Sequence, residues 1–384
     1  MRSDGAISLP DAWVEIDLDA LAANLAAIKA RLPAGCDYCA VVKSDAYGHG
    51  IDRVAPVLAE GGVSWAGITS NQDALALRRA GFTGRIMRLR GASLAEARDV
   101  AGLGVEELAT SAEAARALSD PDAPVPVHLP LNAGGMGRDG IELAAEGGRA
   151  AAREILAMPG LRIAGLTTHF PAHDPEDLAA SRARFEADVA WCLAEGGLSR
   201  DAVTVHAASS LGLLAEAGIE YDMLRAGAIL WGIVGARAEF TDVMRLCARI
   251  TSVNTLPEGA SIGYDRAHVL GRESRIANLS IGYANGIRRS MANSAQVAVR
   301  GRLAPLIGKI SMNALTVDVT DIPEAAPGDT VTLFGADGAA RVTRAMVEEA
   351  SGTIMADLYC DWGRSNRRQY SGGPPQAAAK NRTR

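Results

Sequence analysis

Ala40-Val-Val-Lys43-Ser-Asp-Ala-Tyr47-Gly-His-Gly50 reads as a short hydrophobic strand that delivers a lysine to its end, then a tyrosine and two glycines that punctuate the chain. Upstream, Leu21, Leu25, Ile28 and Leu32 recur at the spacing of one helix face. Downstream, the same order of short β-rich run and Ala/Leu-rich helical segment repeats to about residue 235. Candidate strands lie at 38–43, 64–69, 85–89, 105–110, 125–131, 163–169, 203–207 and 229–234.

Eight strands in repeated β–α order predict a parallel sheet closed into a (β/α)8 barrel of TIM-like type. Beyond about residue 240 the pattern changes to alternating and β-branched stretches, at 295–300, 314–320 and 330–334, with a helical pattern again only at 342–350. The expected fold is therefore α/β: a barrel over 12–240, a mostly β C-terminal domain over 241–372, and a disordered tail over 373–384.

The 384 residues, 48% hydrophobic and 22% charged, supply ample material for two buried cores. No apolar run approaches the roughly 20 residues that cross a bilayer, and Met1 to Pro10 lacks the pattern of a signal peptide, so a cytoplasmic protein without a membrane partner is expected. A net charge of -6 without a block of Lys or Arg in the folded part speaks against a nucleic acid partner. Five cysteines at irregular spacing form no disulfide framework. Cys36 and Cys39 make one C-x-x-C with no second pair to complete a zinc site, which leaves ordinary reduced thiols.

In such a barrel the active site gathers at the C-terminal ends of the strands, where Lys43, His169 and residues 207–210 are expected. A lysine there can form a Schiff base with an aldehyde cofactor when its amine is partly desolvated, although a lysine at a strand end is ordinarily a solvated charge. The neighbours decide. Val41-Val-Lys-Ser-Asp-Ala-Tyr-Gly-His-Gly50 resembles the cofactor-lysine motif of the alanine racemase family, and Ala12-Trp-Val-Glu-Ile-Asp-Leu-Asp-Ala-Leu21 resembles the beginning of that family. Further matches follow in order: Gly135-Met-Gly-Arg138, Thr168-His-Phe170, His206 with Ser209-Ser210, Arg225-Ala-Gly227, Tyr264, Gly282-Tyr-Ala-Asn-Gly286 and Gly308-Lys-Ile-Ser-Met312-Asn.

The resemblance implies a pyridoxal 5'-phosphate enzyme that racemises a small amino acid, alanine first, as a head-to-tail homodimer with shared active sites. Lys43 would hold the cofactor and act as one acid–base group, with Tyr264 of the partner subunit as the other, because racemisation removes a proton from one face and returns one to the opposite face. A phenol ordinarily ionises near pH 10, so a basic tyrosine needs positive charge nearby. By the same resemblance Arg225 faces the pyridine nitrogen and hydrogen-bonds it without protonating it, with His206 orienting it. Tyr47, Ser209, Ser210 and Gly227 would bind the phosphate, and His169 would stack near the cofactor ring. Arg138 and the backbone of Met312 would take the substrate carboxylate, with Tyr283 at the entrance.

Plainer readings stand beside these: a surface or core aromatic for Tyr264, a surface ion pair for Arg225, satisfied core histidines, and core filler for Met312. His169 and His173 are spaced for a metal, but no Cys or carboxylate partner is evident and no metal is expected.

Three departures from the family pattern stand out. The family's lysine that holds the substrate arginine has no counterpart, Pro130 or Leu131 standing at its place, and Asn132-Ala-Gly-Gly-Met136 is nearer to racemases of broad specificity. The family tyrosine that touches the phosphate is replaced within Asp361-Trp-Gly-Arg364, which makes Arg364 a substitute phosphate ligand or a surface residue. Asp265 places a carboxylate beside Tyr264. The alternatives to an alanine racemase are thus a broad-specificity amino-acid racemase, another barrel-type enzyme of this cofactor such as a decarboxylase, or a noncatalytic cofactor carrier.

Overall fold

Trp65–Ile68 is buried at every position, and it is typical of the strands in the first part of the chain. The computed structural model describes residues 11–133, 135–171, 174–207, 209–214, 221–233 and 239–374. Contacts divide the chain into two units, Leu21–Ala46 with Ile51–Phe240, and the residues before Leu21 with Tyr47–Gly50 and Thr241–Gly373.

After an initial strand, β1 (Ala12–Asp17), come eight parallel strands: β2 (Asp37–Val41), β3 (Trp65–Ile68), β4 (Arg85–Arg88), β5 (Val105–Leu108), β6 (Val125–Pro130), β7 (Leu161–Thr167), β8 (Thr204–His206) and β9 (Met223–Ala226). Their order, β8-β7-β6-β5-β4-β3-β2-β9, is a sheet rolled into a TIM-like near-barrel. Asp222, just before β9, joins its two edges. Its N–H donates to the Val205 carbonyl at 3.0 Å, and its carboxylate accepts from the Val205 N–H at 2.7 Å.

Seven strands lie where the alternation placed them. The eighth does not: the apolar run expected at 229–234 forms tight buried turns, with the Leu230 N–H on the Gly227 carbonyl at 2.8 Å and the Trp231 N–H on Ala228 at 3.2 Å. The strand that pairs with β2 is Met223–Ala226 instead. Val234 lies outside the described residues.

Serine caps start three successive crossover helices, Ser70, Ser93 and Ser111 each accepting from the backbone N–H three residues on. Such a cap is worth about 1 kcal/mol and fixes where each helix leaves its loop. Inside the barrel, Cys39, Trp65, Met87, Leu108 and Met223 pack together. Burial pushes the Cys39 thiol up to about 12, so it is a filler and not a ligand or nucleophile.

The second unit is built on β10 (Met244–Leu256), β11 (Ser261–Ile262), β12 (His268–Val269), β13 (Ser274–Leu279), β14 (Gln296–Val299), β15 (Arg302–Ile307), β16 (Leu315–Asp318), β17 (Thr330–Asp337), β18 (Ala340–Val342) and β19 (Arg367–Ser371). Nine strands, in the order β18-β17-β14-β15-β16-β13-β10-β1-β19, form one sheet. β1, expected at the head of the barrel, pairs antiparallel with β10 and parallel with β19. Helices Arg344–Ser351 and Met355–Ser365 complete this unit, the second of them unannounced by the alternating pattern. Residues 375–384, expected as tail, lie outside the described residues. Among the described residues no helix is long and apolar enough to cross a membrane.

Candidate active site

β2 ends at Val41, and the half-buried Lys43 opens a turn of left-handed backbone in which Ser44, Asp45, Ala46 and Tyr47 all have φ between 54° and 57°. Each such residue is disfavoured by about 1–2 kcal/mol, so other contacts must hold the turn. Asp45 does much of this. Its carboxylate accepts from the Ile51 N–H at 2.8 Å, and its own N–H donates to the Asp73 carboxylate at 3.0 Å. Asp73 is itself locked to Ser70 in a reciprocal cap. The lysine therefore stands on a fixed turn.

Arg225 comes from the strand beside Lys43, since β9 pairs with β2 so that Arg225 is opposite Cys39 and Ala226 opposite Ala40. It is buried, and its Nη2–H donates to the Thr168 carbonyl at 2.7 Å while Nη1 bonds His206 Nδ1. His206 Nε2 lies 2.8 Å from His128 Nδ1, and His128 Nε2 lies 2.9 Å from Glu106 Oε2. Glu106 also accepts from Arg85, at 2.6 and 2.9 Å. Burial, helped by the positive charge of Arg225, pushes the His206 ring well below its usual range, and burial pushes His128 down despite Glu106. Arg225 is pushed down by burial to about 10, which leaves it positive at neutral pH.

The sequence singled out Arg225 and His206 but not His128, Glu106 or Arg85. Their signal was charge in short barrel strands: Arg85 and Arg88 in β4, Glu106 and Glu107 in β5, and a lone His128 in the otherwise apolar β6.

Around the helix Ser210–Leu214, the buried Ser210 hydroxyl accepts from the Ile229 N–H at 3.3 Å, Ser209 is half-buried, and Gly227 follows β9 directly. Burial pushes the Tyr47 hydroxyl up to about 12, with Cys360 adding to it, so this phenol stays protonated and can only donate to an anion. His169 is exposed just beyond β7, and its proposed companion His173 lies outside the described residues. Among the described residues no group of three or more His, Cys, Asp or Glu could hold a metal.

Arg138 is exposed on the loop after β6, whose last residue is Pro130. Asn132 ties that loop together, its Oδ1 accepting from the Gly137 N–H at 3.1 Å and its Nδ2 donating to Glu142 at 3.3 Å. Pro130 and Leu131 offer no side-chain charge to Arg138.

In the second unit, residues 308–312 gather the other candidates. At one end Gly263 packs so closely that a Cβ would stand 2.7 Å from the backbone nitrogen of Lys309. At the other, a Cβ on Gly282 would stand 2.3 Å from the Ser311 carbonyl oxygen, and the Tyr283 N–H donates to that oxygen at 3.0 Å. Asn293, which the sequence did not single out, accepts from the Gly308 N–H at 2.7 Å and donates to the Ala267 carbonyl at 3.3 Å. The result presents Tyr264, Met312 and Tyr283 outward, 66%, 55% and 42% exposed. The carboxylate of Asp265 is held by Lys309, which keeps it below the usual carboxylate range. Arg364, exposed on the helix Met355–Ser365, pairs with Asp361 of the same helix.

These observations agree with comparisons over nearly the whole chain. Residues 16–234 match the family model for the alanine racemase N-terminal domain, and 243–370 that for the alanine racemase C-terminal domain. A broad specificity amino-acid racemase of Aeromonas hydrophila is 40% identical over 93% of this chain and 89% of its own length. An alanine racemase of Syntrophobacter fumaroxidans is 36% identical over 94% of this chain and 98% of its own. Among solved structures, alanine racemase from Bacillus anthracis with bound L-Ala-P superposes with a TM-score of 0.85 at 27% identity, covering 96% of each chain. The chain belongs to the alanine racemase family.

Proposed function

We propose that this protein is a pyridoxal 5'-phosphate-dependent amino-acid racemase that acts on alanine and on a wider set of amino acids, as a cytoplasmic homodimer. The observation that carries this reading is Lys43, held on a locked left-handed turn at the end of β2, beside the strand that carries the buried Arg225.

The donor set fits the cofactor. Neutral hydroxyls at Tyr47, Ser209 and Ser210 and the backbone at Gly227 suit a phosphate, and a guanidinium that can only donate suits a pyridine nitrogen. When bound, pyridoxal phosphate supplies an electron sink that makes the substrate's α-proton acidic. The chain's residues do the rest. Lys43 Nζ holds or returns the proton on one face, and the hydroxyl of Tyr264 of the partner subunit does so on the other. Arg225 stays charged and so keeps its proton, which weakens the sink and disfavours side reactions. His169 flanks the ring, Arg138 takes the substrate carboxylate together with the backbone of Met312 of the partner subunit, and Tyr283 of the partner subunit guards the entrance.

The exposed cluster of Tyr264, Met312 and Tyr283 supports shared sites, since three large side chains presented outward suit a partner's barrel. The wider substrate set is supported by Pro130 and Leu131, which leave Arg138 without the cationic anchor of the family.

Incubating the protein and pyridoxal phosphate with L-alanine, L-serine, L-lysine and L-arginine separately, followed by chiral chromatography, tests this. D-isomers of alanine and at least one other are expected. D-alanine alone would narrow the reading, and no D-isomer with cofactor bound would overturn it in favour of a decarboxylase or a carrier.

A further inference from the structure

Five strands of the barrel contribute one interior chain of hydrogen bonds. Arg225 on β9, His206 on β8, His128 on β6, Glu106 on β5 and Arg85 on β4 follow one another without a gap. Arg225 lies near the C-terminal end of its strand, whereas Arg85 is the first residue of β4 and Glu106 the second of β5. In a parallel barrel the chain therefore descends from the active-site face towards the opposite one. There the Arg85 side chain is 44% exposed and its guanidinium lies 3.8 Å from the centre of the Trp65 ring.

The two ends of this chain fix its protons. A guanidinium can only donate and a carboxylate can only accept. His206 Nδ1 must therefore accept from Arg225, which puts its proton on Nε2, directed at His128 Nδ1. His128 then carries its own proton on Nε2, directed at Glu106. One arrangement satisfies every bond, and the reverse would set a ring N–H against the guanidinium. A protonated His206 would do the same and would add a second positive charge beside Arg225.

We propose that Glu106 and His128 are positioning residues for racemisation, which hold His206 as a neutral Nε2–H ring and so fix the aim of Arg225 from the far end of the barrel. This rests on the reading of Arg225 as the group that faces the cofactor ring. The burial that drives both histidines towards the neutral form acts in the same direction, and Cys39, whose thiol also lies near Arg225, stays uncharged.

The test uses the enzyme loaded with pyridoxal phosphate and labelled with 15N in its histidine rings. In the unmutated protein His128 and His206 are expected to be neutral, protonated on Nε2, and unchanged between about pH 6 and pH 8, where an ordinary histidine titrates. Glu106→Gln removes the charge and keeps the shape. It is expected to lower kcat for alanine about tenfold with KM within about twofold, and to spread the His128 signal over both tautomers.

An Nδ1–H ring or a titrating ring at either position would overturn the proposal, as would a Glu106→Gln enzyme with unchanged kcat. If Glu106→Gln does not fold, the spectrum of the unmutated enzyme decides. Failure of the Arg225 reading would look different: Arg225→Lys would leave the absorption of the bound cofactor unchanged.

Discussion

Gly165 and His128 face each other across β7 and β6 so closely that a Cβ on the glycine would stand 2.1 Å from His128 Nδ1. The absent side chain is what admits an imidazole into the barrel interior. Gly165→Ala should push the ring aside, break its bond to His206 and cost about 1–3 kcal/mol through overpacking. A urea midpoint that falls with an unchanged slope, together with a lower kcat, is the expected result. Wild-type values of both would show that the ring has room to spare.

Complementary mutants test the shared site. Lys43→Ala and Tyr264→Phe should each lose racemase activity, by 10²-fold or more for a removed acid–base group (roughly). After subunit exchange the mixture should regain activity through hybrid dimers in which one of the two sites has both groups. No recovery after verified exchange would mean that both groups act from one chain.

Lys309 neutralises the carboxylate next to Tyr264. Lys309→Met removes the partner that holds this carboxyl below the usual carboxylate range, so the Asp265 side chain should titrate at higher pH than in the unmutated protein. A 13C NMR titration of the aspartate side chains checks this. An Asp265 signal that titrates at the same pH in both proteins would refute the ion pair.

Acid should unfold this protein earlier than carboxylates alone require. Burial holds the His128 and His206 rings below their ordinary 6.5, so the unfolded chain takes up protons there that the folded one refuses. The stabilisation is complete above the unfolded pKa and is lost as pH falls from there towards the folded values. Two such rings give a slope approaching about 2.7 kcal/mol per pH unit. Urea midpoints measured from about pH 8 to pH 5 should be level and then fall below about 6.5. A level line throughout would refute the buried neutral pair.

The barrel was legible because its strands are short apolar runs between helical patterns, and Lys43 because a strand visibly delivers it. The eighth strand was not. Met223-Leu-Arg-Ala226 contains an arginine, while the more apolar Ile229-Leu-Trp231 owes its composition to a buried turn, and four residues carry no period that separates the two. Asp265 beside Tyr264 could be read from the sequence, but Lys309, forty-four positions on, could not be assigned to it. The same holds for Arg85, Glu106 and His128, which lie on three different strands and meet only when those strands pair side by side.

The sheet order of the second unit has a further consequence for anyone who would cut or recombine this chain. Among the described residues β1 is the only strand that pairs with β19, and it stands between β19 and β10. A fragment beginning at Thr241 would leave its last strand with no neighbour and its longest strand with an open edge. Swapping this unit between relatives therefore requires a composite graft, with the first twenty residues and Tyr47–Gly50 travelling alongside Thr241–Gly373. A single crossover near residue 240 would produce a chimera whose opening strand comes from one ancestor and must pair with strands from the other.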